Sequence, residues 1–157
     1  MAELKAEVLI DRPVEEVMGF LADLENHPRF LPEEFSEFGF PGRTSGKGAT
    51  MRLRWQHGKA TEDLLLEVVK ADENNLVLKS TLAGSQALGL WYWVQGNELG
   101  SYVKLVVERA GSAGGGGLFR RKPGVLDGWK KALPKLRDLL SEAAANNDDA
   151  DSAGAES

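Results

Sequence analysis

The stretch from Gly124 to Ala145, GVLDGWKKALPKLRDLLSEAAA, constrains this chain more than any other. Leu126, Trp129, Leu133, Leu136 and Leu140 recur at three- and four-residue steps and fall on one stripe. Lys130, Lys131, Lys135, Arg137 and Asp138 lie on the other side. A helix divided in this way needs an apolar surface to lie on. Pro134 falls inside it and is expected to remove one backbone hydrogen bond and kink it.

The middle of the chain supplies that surface. Leu4 to Ile10 alternates, with Leu4, Ala6, Val8 and Ile10 on one face. Asp11-Arg12-Pro13 opens a helix with the stripe Val14, Val17, Met18, Leu21 and Leu24, expected to end at Asn26-His27-Pro28. A second short helix is expected from Pro32 to Phe38, with Phe35 and Phe38 on one side. Gly39 to Gly48 reads as loop. Strands then follow over 50–56, 60–70, 76–82, 87–95 and 102–109, joined by short turns such as His57-Gly58-Lys59 and Asp72-Glu73-Asn74-Asn75. This is the pattern of an antiparallel meander in an α+β fold.

Composition narrows the function classes. The chain has 157 residues, which fits one domain, and no cysteine, which excludes disulfides and thiolate chemistry. The tail from Asn146 carries Asp148, Asp149, Asp151 and Glu156 with no basic residue and is expected to be disordered, leaving a domain over 1–145. Without that tail 20 acidic residues face 19 basic ones, so no nucleic-acid partner is expected. No run of apolar residues is long enough for a membrane span, and the start MAELKAEVL has no signal-peptide pattern, so a cytoplasmic protein without integral membrane association is expected.

Chemistry is mostly excluded. The two histidines, His27 and His57, occupy a loop and a turn and read as surface residues, so no metal site or triad is expected. Gly42-Arg43-Thr44-Ser45-Gly46-Lys47-Gly48 fails as a phosphate loop. Its glycines are too close, and Gly48 stands where Ser or Thr is needed. The run Gly114 to Gly117 reads as a linker. Glu62, Ser80, Tyr92, Gln95 and Arg109 are polar candidates for the interior but form no constellation visible in sequence, so no catalytic residue and no cofactor is assigned.

The segments Ile10-Asp11-Arg12-Pro13-Val14-Glu15-Glu16-Val17, Leu21-Ala22-Asp23 and Pro28-Arg29-Phe30-Leu31-Pro32 carry a family likeness. So do Val68 with Asp72-Glu73-Asn74-Asn75-Leu76, and Gly100-Ser101-Tyr102-Val103. With the order of elements they resemble the START-like superfamily (SRPBCC), which includes polyketide cyclase/dehydrase-like and birch-pollen-allergen-like proteins. Asn26 to Pro32 also resembles the coenzyme Q-binding branch. The resemblance covers roughly 2–144. It implies a helix-grip fold: a curved antiparallel sheet of six to seven strands around the long C-terminal helix, with two short helices after the first strand. It also implies a hydrophobic or amphipathic ligand such as a lipid, isoprenoid quinone or polyketide.

A sheet curved round one helix leaves space for a small molecule between them. Alternation turns Met51, Leu53, Trp55, Leu64, Leu66, Val68, Leu76, Leu78 and Ser80 inward, with Val103, Leu105 and Val107. Leu90 to Val94 is apolar on both faces. Trp91 and Trp93 are expected inward; the other register leaves two tryptophans outside as a patch for a homodimer. The expected ligand-binding set is Trp55, Leu66, Leu78, Ser80, Trp91, Trp93, Trp129 and Leu133. Binding or transport of a hydrophobic small molecule is the leading reading. A cyclase or dehydratase acting on a polyketide-like substrate, and a protein-interaction module without ligand, are the alternatives.

Overall fold

The computed structural model describes residues 2–80, 88–109 and 126–141. Seven antiparallel strands form one sheet: β1 (Ala2–Ile10), β2 (Phe35–Gly39), β3 (Thr50–His57), β4 (Ala60–Ala71), β5 (Asn75–Ser80), β6 (Leu88–Asn97) and β7 (Gly100–Arg109). Their order across the sheet is β1-β7-β6-β5-β4-β3-β2, so β1 and β2 are its two edges. Strands β2 to β7 are a meander, and β1 joins its far side by pairing with β7. Alternation then decides the faces. Met51, Leu53, Trp55, Leu64, Leu66, Val68, Leu76, Leu78, Val103, Leu105 and Val107 are all buried, as their spacing requires.

The C-terminal helical segment spans the open side of this sheet. It starts as a short turn, α3 (Asp127–Lys130), and continues as helix over 132–141. Leu126, Trp129, Ala132, Leu133, Leu136 and Leu140 are buried against the sheet. The start of the segment is held beside β2, where the Lys131 ammonium meets Glu34 at 3.2 Å. Its other end reaches β1, where the Ser141 hydroxyl donates to Asp11 at 2.9 Å. The first turn also lies against β1, so the segment meets both edges of the curled sheet. The expected single kinked helix is corrected here: the break falls at Lys131, and Pro134 lies in the first turn of the second piece. A first-turn amide has no intrahelical acceptor, so proline costs nothing there.

Three more local expectations are corrected. Helix α1 (Val14–Ala22) stops before Asn26. A 3-10 turn over Leu24–Asn26 follows, and Pro28 opens a further turn, α2 (His27–Phe30), rather than ending one. The expected helix from Pro32 to Phe38 is instead the edge strand β2. Its pairing with β3 shifts between Ser36 and Gly39, and Glu37 has φ 53°. The extra residue of this bulge places Phe35 and Phe38, three apart, both against the core, imitating helical spacing. His27, expected at the surface, is 1% exposed. Its Nε2 donates to the Leu21 carbonyl at the end of α1 at 2.8 Å, and its ring packs on Phe30 and Tyr92. The expected strand ends at 81, 82 and 87, the glycine linker and the acidic tail lie outside the described residues.

One glycine is required by geometry. Gly100, at the start of β7, has φ 141°, and a Cβ there would run into the Ile10 carbonyl and lie 2.8 Å from the Asp11 Cα. Beside it the buried Ser101 hydroxyl donates to the Arg12 carbonyl at 2.7 Å. Together they seat the β1–α1 corner on β7. Gly100→Ala is expected to cost about 2–3 kcal/mol, from strain plus displaced backbone. Urea denaturation measures this, with Gly89→Ala as the control because a Cβ there meets nothing within 4 Å.

Burial pushes the His27 pKa from 6.5 down to about 4, although the Leu21 carbonyl and Asp23 pull it up. A base whose folded pKa is depressed stabilises the fold fully above the unfolded value. That stability is lost as pH falls from about 6.5 toward 4, because the unfolded chain takes up the proton first. The loss over this window is expected to be about 3 kcal/mol. Denaturation at pH 7 and pH 4 checks it: wild type should lose that much more stability than His27→Gln, in which carboxylate titration is retained.

Candidate functional site

The inward-facing rows of three strands become polar at the same end of the sheet. On β7 the row Val103, Leu105, Val107 ends in Arg109. On β4 the row Val68, Leu66, Leu64 ends in Glu62, and on β3 Met51, Leu53 and Trp55 lead to His57. Strand β4 pairs with β5 only from Leu66 onward, so the β3–β4 hairpin projects past the end of β5. The curl of the sheet brings this projecting hairpin to β7. Arg109 donates to Glu62 Oε1 at 2.6 Å, and His57 Nε2 donates to Glu62 Oε2 at 3.1 Å. Both oxygens of this carboxylate are thus engaged. The Arg109 guanidinium lies over the Trp55 ring at 5.3 Å, and the His57 ring is 4.1 Å from it.

The cluster is mostly withdrawn from water, with side-chain exposures of 20% for His57, 19% for Glu62 and 11% for Arg109. Burial alone would raise the Glu62 pKa. The hydrogen bonds and charges of Arg109 and His57 outweigh that and hold its carboxyl below the usual range. Glu62 and Arg109 were recognisable as interior candidates from strand phase. Their meeting was not, because 47 residues separate them. His57 is corrected from a surface histidine to a member of this cluster. Its position two residues after Trp55 was the signal.

Trp129 also packs on Trp55. Its ring is 5.6 Å from Trp55 and 4.3 Å from Phe35. The Trp129 Nε1 and the Tyr92 hydroxyl are buried without a hydrogen-bond partner among the described residues, and burial pushes the Tyr92 pKa up. Trp129 lies between the C-terminal helix and the β2–β3 edge, and the Tyr92 ring packs on His27 and Phe30. Buried polar atoms are seldom left unmatched, because each costs about 1–3 kcal/mol.

The expected ligand-binding residues divide into two groups. Trp55, Leu66, Leu78, Trp129 and Leu133 lie in the interior, at 0–1% exposure. A void large enough for water would appear as exposed surface on its lining, so protein fills the space against these five. Ser80 shares the inward phase of Leu76 and Leu78, but its hydroxyl accepts the Leu88 amide at 2.9 Å. Trp91 and Trp93 are corrected: they face outward, and Leu90, Tyr92 and Val94 face inward. The register Trp91↔Val106 and Trp93↔Lys104 sets this phase, and the Trp91 indole N–H finds the Asn75 side chain at 2.7 Å on the outer surface. A separate cleft of about 810 Å³ lies at the start of α1 beside the β6–β7 hairpin. It lies at the end of the sheet away from Trp55 and Trp129, and surface groups such as Glu15, Glu73 and Glu98 line it. Among the described residues no group of acidic or histidine side chains fits a metal ion.

The two tryptophan environments separate in a stability measurement. Trp55→Ala is expected to cost about 3–5 kcal/mol, the range for a buried aromatic, and Trp91→Ala under about 1 kcal/mol. Equal losses in denaturation midpoint would contradict the assigned faces.

The sequence matches no protein-family model and no curated protein. Solved structures do match. The solution structure of KanY protein has a TM-score of 0.72 at 21% identity, over 90% of this chain and 99% of that one. TTHA0849 from Thermus thermophilus has a TM-score of 0.75 at 22% identity, over 90% and 99%. Major latex-like protein 151 from Panax ginseng has a TM-score of 0.65 at 13% identity, over 87% and 95%. At these identities the likeness is one of fold, and it agrees with the curled seven-stranded sheet and its C-terminal helix. The chain has the helix-grip fold.

Proposed function

We propose that this protein binds a hydrophobic small molecule between the C-terminal helix and the concave face of the sheet, at the end marked by Trp55 and Trp129. The observation that carries the reading is the buried Trp129 Nε1 beside Trp55, which has no hydrogen-bond partner among the described residues; the Tyr92 hydroxyl, against His27 and Phe30, is a second such atom. A core evolved only for packing would match them or replace them with apolar atoms. A bound molecule with a polar group supplies the missing partner. Because the interior is filled at Trp55 and Trp129, binding requires the helix or these rings to shift, and the ligand then replaces aromatic contacts with its own.

The class of ligand consistent with such walls is flat or chain-like and mostly apolar, as expected of a lipid, isoprenoid or polyketide. The test is native mass spectrometry of the freshly purified full chain, followed by titration with the neutral apolar fluorophore N-phenyl-1-naphthylamine. A co-purifying mass, or saturable fluorescence weakened at least tenfold by Trp129→Ala, is the expected result. A clean mass together with no saturable fluorescence overturns the reading.

A further inference from the structure

The geometry points to a second copy of this chain as the partner of the convex face of the sheet, docked about a two-fold axis that runs across the strands at Trp91. Pairing register fixes what that face carries. Its central row, from β5 to β7, is Val77, Trp91 and Val106. The row on one side is Lys79, Gly89 and Glu108, and the row on the other is Asn75, Trp93 and Lys104. Trp91 is 40% exposed, and its indole N–H donates to Asn75 at 2.7 Å, so the ring is held in place at the surface. Trp93 packs edge-on against Tyr102 on the same face, with ring centroids 6.2 Å apart. Aromatic rings held in this way are the side chains most enriched at the centres of protein interfaces.

The three rows are complementary to themselves. A two-fold contact brings the same patch of both copies together. With the axis along the central row, Trp91 and Val77 meet their own counterparts, and each flanking row meets the other. Glu108 then lies opposite Lys104 of the second copy, and the symmetry repeats the pair. Among the described residues neither side chain has an ion-pair partner in its own chain. Trp93 lies opposite Gly89 of the second copy. A Cβ at Gly89 would meet nothing within 4 Å, so the glycine leaves a gap for the indole. An axis along the strands would instead set Trp93 against Trp93 and leave that gap empty. Lys5 and Lys70 extend the central row onto β1 and β4. The sheet curls away there, which keeps these cations from their counterparts and confines the contact to β5, β6 and β7. A contact of that size makes a weak, reversible dimer.

Sedimentation velocity of the full chain, from about 5 µM to about 1 mM, tests the assignment and is expected to show a monomer–dimer equilibrium. Lys104→Glu or Glu108→Lys alone sets like charges opposite each other, and each should weaken the dimer at least tenfold. The double variant Lys104→Glu/Glu108→Lys exchanges the two charges and should restore it to within threefold of wild type. Gly89→Leu fills the gap and should weaken the dimer at least tenfold without touching any charge. A monomer across the whole range overturns the proposal, and so does a dimer indifferent to both single reversals, which would lie on another surface. A dimer weakened by Glu108→Lys and not by Lys104→Glu also overturns it, because an axis along the strands pairs Glu108 with Lys79. Single reversals that weaken the dimer without rescue in the double variant overturn the pairing as well.

Discussion

Trp129 against Phe35 and Trp55 is the contact on which the rest of the structure depends. It joins three elements that are distant in sequence: the start of the C-terminal helix, the bulged edge strand β2, and the β3–β4 hairpin. A seven-stranded open sheet has two edges and one unprotected concave face. The helix covers that face, and its fastenings near Glu34 and Asp11 tie it to both edges. The lysine and serine contacts are exposed and contribute little. The aromatic contact and the buried leucines behind it provide most of the attachment, since hydrophobic area scales with stabilisation and exposed ion pairs do not.

Within this frame the Arg109–Glu62–His57 cluster is costly to keep. A largely desolvated ion pair gains little over apolar residues of similar volume, and removing one partner leaves the other stranded. The same end of the interior holds the unmatched Trp129 Nε1. A few placed polar groups in apolar surroundings are what the proposed ligand site would need to fix orientation.

Much of the fold was legible in the sequence. Period-two alternation identified the inward rows of β3, β4, β5 and β7, and the leucine–tryptophan stripe identified the covering helix. Three features were hidden for physical reasons. The bulge at Glu37 reproduced a helical spacing inside a strand. Strand β6 is apolar on both faces, so its phase depends on pairing with β5 and β7 and not on its own pattern. His27 became a core residue because α1 ends early enough for the Leu21 carbonyl to meet its ring, a distance no local pattern encodes. The candidate site was half visible: strand phase pointed Glu62 and Arg109 inward, and only the curl of the sheet joined them.

The phase of β6 has an optical consequence. The four tryptophans divide into an inner pair, Trp55 and Trp129, with no exposed surface, and an outer pair, Trp91 and Trp93, of which Trp91 is 40% exposed. A dissolved ion such as iodide reaches the indole of Trp91 and not those of the inner pair. The chain therefore carries two classes of built-in fluorophore, one reporting on the interior and one on the outer surface. Events beneath the helix can be watched separately from contacts made by the convex face, without attaching a dye.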